Sequence, residues 1–282
     1  MRAHHVRNAT MLLEYAGERI LIDPMFSPKG VFPPFKMFGG GRRKNPLVEL
    51  PSSGMELMKS ATCALITHEH PDHLDVPALE WLRSVQLPVW ASSLDVESLR
   101  RRGLDARDIE SGGFAAPRVR VVDAQHGYGV VAWLMGPVSG FYFAHEDEPS
   151  VYLTGDSVMT PSIRATIEQL EPDVIVAPAG SANAGIGRSI LFELPELVEL
   201  AQLAPRQIVF NHLESLDHCP TTRAGLREEM ERAGVSSKVL IPSDGEALEF
   251  ARPEGTTRPP LPPALGRVPG FRKSVTRRLS GT

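Results

Sequence analysis

The chain has 282 residues, 42% of them hydrophobic, enough to bury a sizeable core in one large domain or two ordinary ones. Thirty basic residues against 34 acidic ones leave a net charge of -4, which gives no global attraction to nucleic acid, so nucleic acid is not an expected partner. Two cysteines, Cys63 and Cys219, exclude a disulfide framework. The sequence shows no signal-type apolar stretch and no run near the roughly 18 apolar residues of a membrane span, so a cytoplasmic protein without a membrane partner is expected.

In chain order, Thr10 to Tyr15 and Arg19 to Ile22 read as strands joined by a hairpin at Ala16-Gly17-Glu18. A long irregular stretch follows, from about Met25 to Pro51, with five prolines and the run Gly39-Gly40-Gly41-Arg42-Arg43-Lys44. Loops of that length in a compact domain tend to be functional or disordered. The basic run reads as a solvated loop, with an anion clamp as the sharper alternative. Thr62 to Thr67 is an apolar strand leading into His68, Val76 to Ser84 a helix, and Pro88 to Ala91 a strand. Asp95 to Arg102 is a short helix with Asp95 as N-cap and Gly103 past its end. Four strands are expected next, at Arg118 to Val122, Val130 to Met135, Gly140 to Ala144 and Ser150 to Thr154. Helices over Ser162 to Leu170, Glu193 to Leu203 and Pro220 to Ala233 then alternate with strands at Asp173 to Ala177, Arg206 to Phe210 and Lys238 to Ile241. Composition shifts near Pro253. From Thr256 to Thr282 there are five prolines, six basic residues and no acidic ones, too little apolar surface for a core. The expected division is a catalytic domain over 1–252 and a Pro-rich basic tail over 253–282. The tail reads as flexible or, alternatively, as an arm on a neighbouring subunit of a homo-oligomer.

The chemistry concentrates in Thr67-His68-Glu69-His70-Pro71-Asp72-His73, which holds three of the chain's nine histidines. Imidazole nitrogen and carboxylate oxygen are ligands for zinc and related divalent ions. His68 and His70 can point to one metal, while Asp72 and His73 turn to a second. Further ligands are expected just past strand ends, where sites gather in α/β folds. His126, Asp156 in Thr154-Gly155-Asp156-Ser157, and His212 all occupy that position. A carboxylate such as Asp156 suits a bridge, because each oxygen can bind one ion.

His68-x-His70-x-Asp72-His73 followed by His126, Asp156 and His212 resembles the metallo-β-lactamase superfamily. The resemblance spans about residues 4 to 250. The stretches Arg7-Asn8-Ala9-Thr10, Glu14-Tyr15 and Leu21-Ile22-Asp23-Pro24 are similar to the branch containing ascorbate-6-phosphate lactonase. The resemblance implies an α/β fold, a four-layer αββα sandwich with the site at one edge of its two sheets. It implies a first metal on His68, His70 and His126, a second on Asp72, His73 and His212, and Asp156 as the bridge. Asp23 is similar to an aspartate that buttresses the ligand loop; an Asp-Pro turn is the plainer reading. His218 reads either as an acid or substrate contact at the pocket mouth or as part of the segment capping the next helix. Cys219 is not assigned to metal, and His4, His5 and His145 are read as surface or structural.

Two divalent ions, zinc first and manganese second, would share a water and lower its pKa toward about 7. The expected function is therefore a di-metal hydrolase. A bridging hydroxide would attack a small anionic ester-like molecule, a lactone or a phosphodiester. Asp72 would orient it and carry its proton, and Asp156 would hold both ions. The rival is an iron-dependent oxidoreductase of the sulfur dioxygenase type on the same fold, which uses fewer ligands. A flavodiiron site is disfavoured because an acidic residue stands there where this chain has His70.

Overall fold

In this computed structural model, the described residues are 1–116, 118–183, 185 and 188–255. The expected tail from 256 onward lies outside them. The elements are β1 (Arg2–Arg7), β2 (Thr10–Tyr15), β3 (Glu18–Ile22), α1 (Gly54–Lys59), β4 (Cys63–Leu65), α2 (Val76–Val85), β5 (Pro88–Ala91), α3 (Val96–Arg101) and β6 (Asp105–Asp108). They continue with β7 (Arg118–Asp123), α4 (Gly129–Met135), β8 (Ser139–Ala144), β9 (Val151–Leu153), α5 (Pro161–Leu170), β10 (Val174–Pro178) and α6 (Leu194–Leu203). The last are β11 (Gln207–Asn211), α7 (Arg223–Arg232), β12 (Val239–Leu240) and β13 (Ala247–Glu249).

Two mixed sheets form, a seven-stranded one ordered β13-β1-β2-β3-β4-β5-β6 and a six-stranded one ordered β12-β11-β10-β9-β8-β7. Side chains alternate across each strand, and three apolar layers result. Met11, Leu13, Ile20, Ile22 and Leu65 face Phe141, Phe143, Leu153, Val176 and Val209 between the sheets. The alternate residues Leu12, Leu21, Ala64 and Val89 pack on Leu79 and Leu82 of α2 and Leu99 of α3. On the far side, Tyr142, Tyr152, Ile175 and Ile208 pack on Ile163, Leu197 and Leu226 of α5, α6 and α7. The four-layer αββα sandwich expected from the sequence is the observed fold.

Three local expectations are corrected. Val130 to Met135, read as a strand, is helical. Asp123 of β7 pairs directly with Ser139 of β8, so the hydrogen-bonding slots a strand there would need are taken. Gly127 and Gly129, at φ 92° and 55°, turn the chain out of the sheet in a conformation that favours glycine. Asp95 sits at the N-cap of α3 without capping it; its carboxylate accepts from Ser92 Oγ instead. The last long helix begins at Arg223 rather than Pro220, capped by Thr222, whose side chain accepts from Gly225 N.

The Met25 to Pro51 stretch is an ordered strap. Arg7, fully buried, donates to the carbonyls of Val48, Met25 and Ser27. Burial brings its pKa down to about 10, and these carbonyls satisfy a charge that would otherwise be costly inside. Farther along, the Asp217 carboxylate accepts from the backbone N–H of Phe35, Lys36 and Arg43 and from Asn45 Nδ2. The strap is thereby tied to the loop after β11.

Candidate metal centre

Each expected ligand except His70, Asp72 and His73 lies just past a strand end, and all seven converge. His68 follows β4, His126 follows β7, Asp156 follows β9 and His212 follows β11. The ligand atoms of His68, His70 and His126 lie within 4.8 Å of one another, as do those of Asp72, His73, Asp156 and His212. All are buried except His70, which is half-buried. Asp156 Oδ2 lies 3.6 Å from His126 Nε2, 3.2 Å from His73 Nε2 and 3.7 Å from His212 Nε2. It therefore stands between the two groups. Asp72 Oδ2 lies 3.1 Å from His212 Nε2 and 3.5 Å from His73 Nε2.

The outer nitrogens of these rings are held by the fold. His73 Nδ1 is 2.9 Å from Asp23 Oδ2, His68 Nδ1 3.0 Å from Thr67 Oγ1, and His126 Nδ1 2.8 Å from Ile190 O. His70 is bound through the other nitrogen, Nε2, to Met135 O at 2.9 Å, which turns its Nδ1 inward. Such outer contacts fix ring orientation and tautomer in metal sites. Asp23 also accepts from Thr67 N and Thr67 Oγ1, so it braces the ligand loop as well as His73. Asn8, buried at φ 58°, donates to Asp72 O and accepts from His212 N. It joins the two ligand loops. Asn8, Thr67 and the carbonyls of Ile190 and Met135 carry no chemistry of their own, so residue type alone could not single them out.

A cation fits these residues. His68 Nε2 and His73 Nε2 are buried without a hydrogen-bond partner, although His73 Nε2 approaches two carboxylates. Nitrogens that close to oxygen but misaligned point at a common centre rather than at each other. The donor set is wholly imidazole and carboxylate, which suits zinc or manganese. Electrostatics divides the two groups. Burial holds His68 well below its ordinary pKa, with His73 and His70 adding to it, and burial brings His126 down to about 4. In the other group burial again opposes charge, but Asp156 and Asp72 outweigh it and hold His73 well above its ordinary value. His212 is raised in the same way, chiefly by Asp156. The carboxyls of Asp72 and Asp156 are held low against burial, His73 being the largest favourable influence on each. The second group is thus built to surround positive charge.

His218 does not cap α7. Its ring edge meets Phe35 at a centroid distance of 5.6 Å, its Nδ1 is buried without a partner, and burial lowers its pKa while the charges of Asp72 and His212 act on it. Cys219 Sγ lies 3.5 Å from His212 Nδ1, on the side away from Asp72. Cys63 is buried in β4, its thiol pushed up to about 12 by burial, and is inert. His5, also buried, faces Asp244 at 3.3 Å.

Comparison with known proteins agrees with this architecture. The β-lactamase superfamily domain matches residues 18–234. The UPF0173 protein YddR of Bacillus subtilis is 29% identical over 264 residues, which are 89% of this chain and all of that protein. Among solved structures, an isothiocyanate hydrolase from Delia radicum gut bacteria superposes with a TM-score of 0.82 at 29% identity, covering 89% of this chain and 100% of that one. A possible metal-dependent hydrolase from Veillonella parvula gives 0.82 and 29%, covering 89% and 99%. With the αββα sandwich and the histidine-aspartate cluster at its sheet edge, the chain belongs to the β-lactamase superfamily and is a metal-dependent hydrolase of the metallo-β-lactamase fold.

Proposed function

We propose that the protein is a two-metal hydrolase of small ester-like molecules, a lactone or a phosphodiester, with the anionic part of the substrate drawn to the metals. The observation that carries this reading is the position of Asp156 Oδ2 within 3.7 Å of nitrogens from both groups. His68, His70 and His126 would hold one ion, Asp72, His73 and His212 the other, and Asp156 both. Ions held there would supply a hydroxide near neutral pH and would stabilise developing negative charge. The residues do the rest. Asp72 contacts His73 and His212 through Oδ2; its Oδ1 is assigned the proton that passes to the leaving oxygen as the ester bond breaks. Asp23 keeps a proton on His73 Nδ1 and so leaves Nε2 free to ligate. His218, beside Asp72, is assigned to the substrate. The 29% identical isothiocyanate hydrolase favours a second reading, in which the same residues would serve hydrolysis of a heterocumulene.

Metal analysis of protein purified without chelator tests the proposal, with two ions per chain expected. Chelation should abolish hydrolysis, and zinc or manganese should restore it. One iron per chain with His212 dispensable would favour the oxygenase rival.

The two groups should also differ in proton release. His68 and His126, with lowered pKa values, are neutral near pH 7 and have no proton for an incoming ion to displace. His73 and His212, with raised values, keep theirs across the neutral range until an ion displaces them. Zinc titrations by calorimetry in buffers of different ionisation enthalpy should therefore show one step releasing few protons and one releasing between about one and two. As pH falls, the proton-releasing step should weaken first. Equal release from both steps would contradict the assignment.

A further inference from the structure

Helix α4 reads Gly-Val-Val-Ala-Trp-Leu-Met and has no charged residue. None of its residues is buried: Val130 is 73% exposed, Leu134 63% and Trp133 48%. A helix apolar all round belongs inside a protein or under a partner, and this one stands beside the candidate metal centre. Its last carbonyl, on Met135, is bonded to the His70 ring. At its other end, a side chain on Gly127, next to His126, would meet Val131 and Ile190 at 3.3 and 3.2 Å. Met135 packs on a small apolar cluster that includes Ile190, Leu216 and Cys219, and Phe35 of the strap flanks the same cluster. The strap then carries exposed Met37 and Phe38. The backbone of Gly185 passes close to the Phe38 carbonyl, since a side chain on Gly185 would lie 2.1 Å from that oxygen. The end of α4 and Phe35 of the strap therefore pack on one cluster that also touches the ligand set, through Ile190 O at His126 and Cys219 at His212.

We propose that α4 and the strap around Phe35 bind an apolar group of the substrate, an alkyl or aryl substituent on the bond hydrolysed at the metal centre. The proposal rests on the hydrolase reading. Size argues for a substrate rather than a second copy. A seven-residue helix is about 10 Å long and about 10 Å across, so its open face with Met37 and Phe38 offers on the order of 200 Å², whereas a stable interface takes about 800 Å² per partner. Continuity with the ligand set argues the same way, because an occupant of this face is also within reach of the reacting centre. The negative part of the molecule would go to the metals and the apolar part to α4.

The test uses zinc-loaded full-length protein and p-nitrophenyl esters from acetate to octanoate. KM should fall by about twofold per methylene, half of what full burial gives. In Leu134→Ser and Trp133→Ser the octanoate-to-acetate ratio of kcat/KM should collapse at least tenfold. Binding is read separately from turnover. Decan-1-ol should blue-shift tryptophan emission, and Trp133→Phe should remove the shift, since Trp81 and Trp90 lie in the apolar layers. If neither these esters nor bis-p-nitrophenyl phosphate is turned over but decanol still shifts Trp133 emission, the ester-hydrolase reading fails and the apolar site stands. A flat KM series with active enzyme overturns the proposal. So does a dimer in sedimentation that Leu134→Ser splits, which would make the face a subunit interface. Flotation with phosphatidylcholine vesicles that Leu134→Ser abolishes would assign it to a membrane and equally overturn it.

Discussion

Replacing Asp156 with Ala is expected to lower kcat/KM by at least ~10³-fold, about 4 kcal/mol of transition-state stabilisation, and to reduce the metal content below two per chain. The side chain is buried, and its Oδ2 is the oxygen shared by His126, His73 and His212. Without it the first group is left with imidazoles alone, and His73 and His212 share only Asp72. The fold should survive. Asp156 lies past β9, whose register with β8 and β10 runs through backbone bonds, and Thr154 N remains bonded to Val176 O. Circular dichroism should match the parent protein while metal analysis and turnover do not. Wild-type turnover by the variant, on any ester the parent hydrolyses, would remove Asp156 from the bridging position.

The ligand set was legible because sheet topology and residue chemistry coincide. His68, His126, Asp156 and His212 are polar groups stranded immediately after apolar runs, and in a layered α/β fold those positions meet at one edge. The layers were legible for a similar reason: β2, β3, β8 and β10 are apolar nearly throughout, as strands covered on both faces must be. Strand β1 was missed because Arg-Ala-His-His-Val-Arg looks like a solvated terminus. Its polar residues find burial only through distant partners, Arg7 through the strap carbonyls and His5 through Asp244. Such pairings have no local pattern. Strand β6 and strand β13 are short edge elements whose sequences carry charges, so they give little periodicity. The helix α4 error has a different origin. A seven-residue run of Val, Trp, Leu and Met is as compatible with a strand as with a helix, and what decides it is the direct pairing of β7 with β8 around it. The strap was visible as an unusual loop, but its anchoring depends on non-local contacts, those of Arg7 across 18 to 41 residues and those of Asp217 across more than 170.

Asp23→Ala is expected to destabilise the protein by about 3–5 kcal/mol and to weaken metal binding by about 10–100-fold. The carboxylate is 3% exposed and accepts from Thr67 N at 2.8 Å and Thr67 Oγ1 at 2.7 Å, with His73 Nδ1 at 2.9 Å. Alanine would leave these donors buried and unpaired, which costs about 1–3 kcal/mol for each group, though the losses do not simply add. Backbone strain adds to this, because Asp23 sits at φ 45°, a region that aspartate tolerates better than alanine does. For a domain of this size the thermal midpoint should fall by about 10 °C. The drop should persist in chelator, because the hydrogen bonds to Thr67 need no metal. The loss of affinity has a separate cause. Asp23 holds the proton on His73 Nδ1 and directs Nε2 toward the centre; without it the ring can rotate or take the other tautomer. Asparagine should not rescue the site, since its amide group offers one acceptor and turns a donor toward Thr67 or His73. Calorimetric melting with and without chelator, combined with zinc competition against a chromophoric chelator, separates the two effects. A variant that melts early but binds zinc as tightly as the parent would show that Asp23 only braces the loop and does not orient His73.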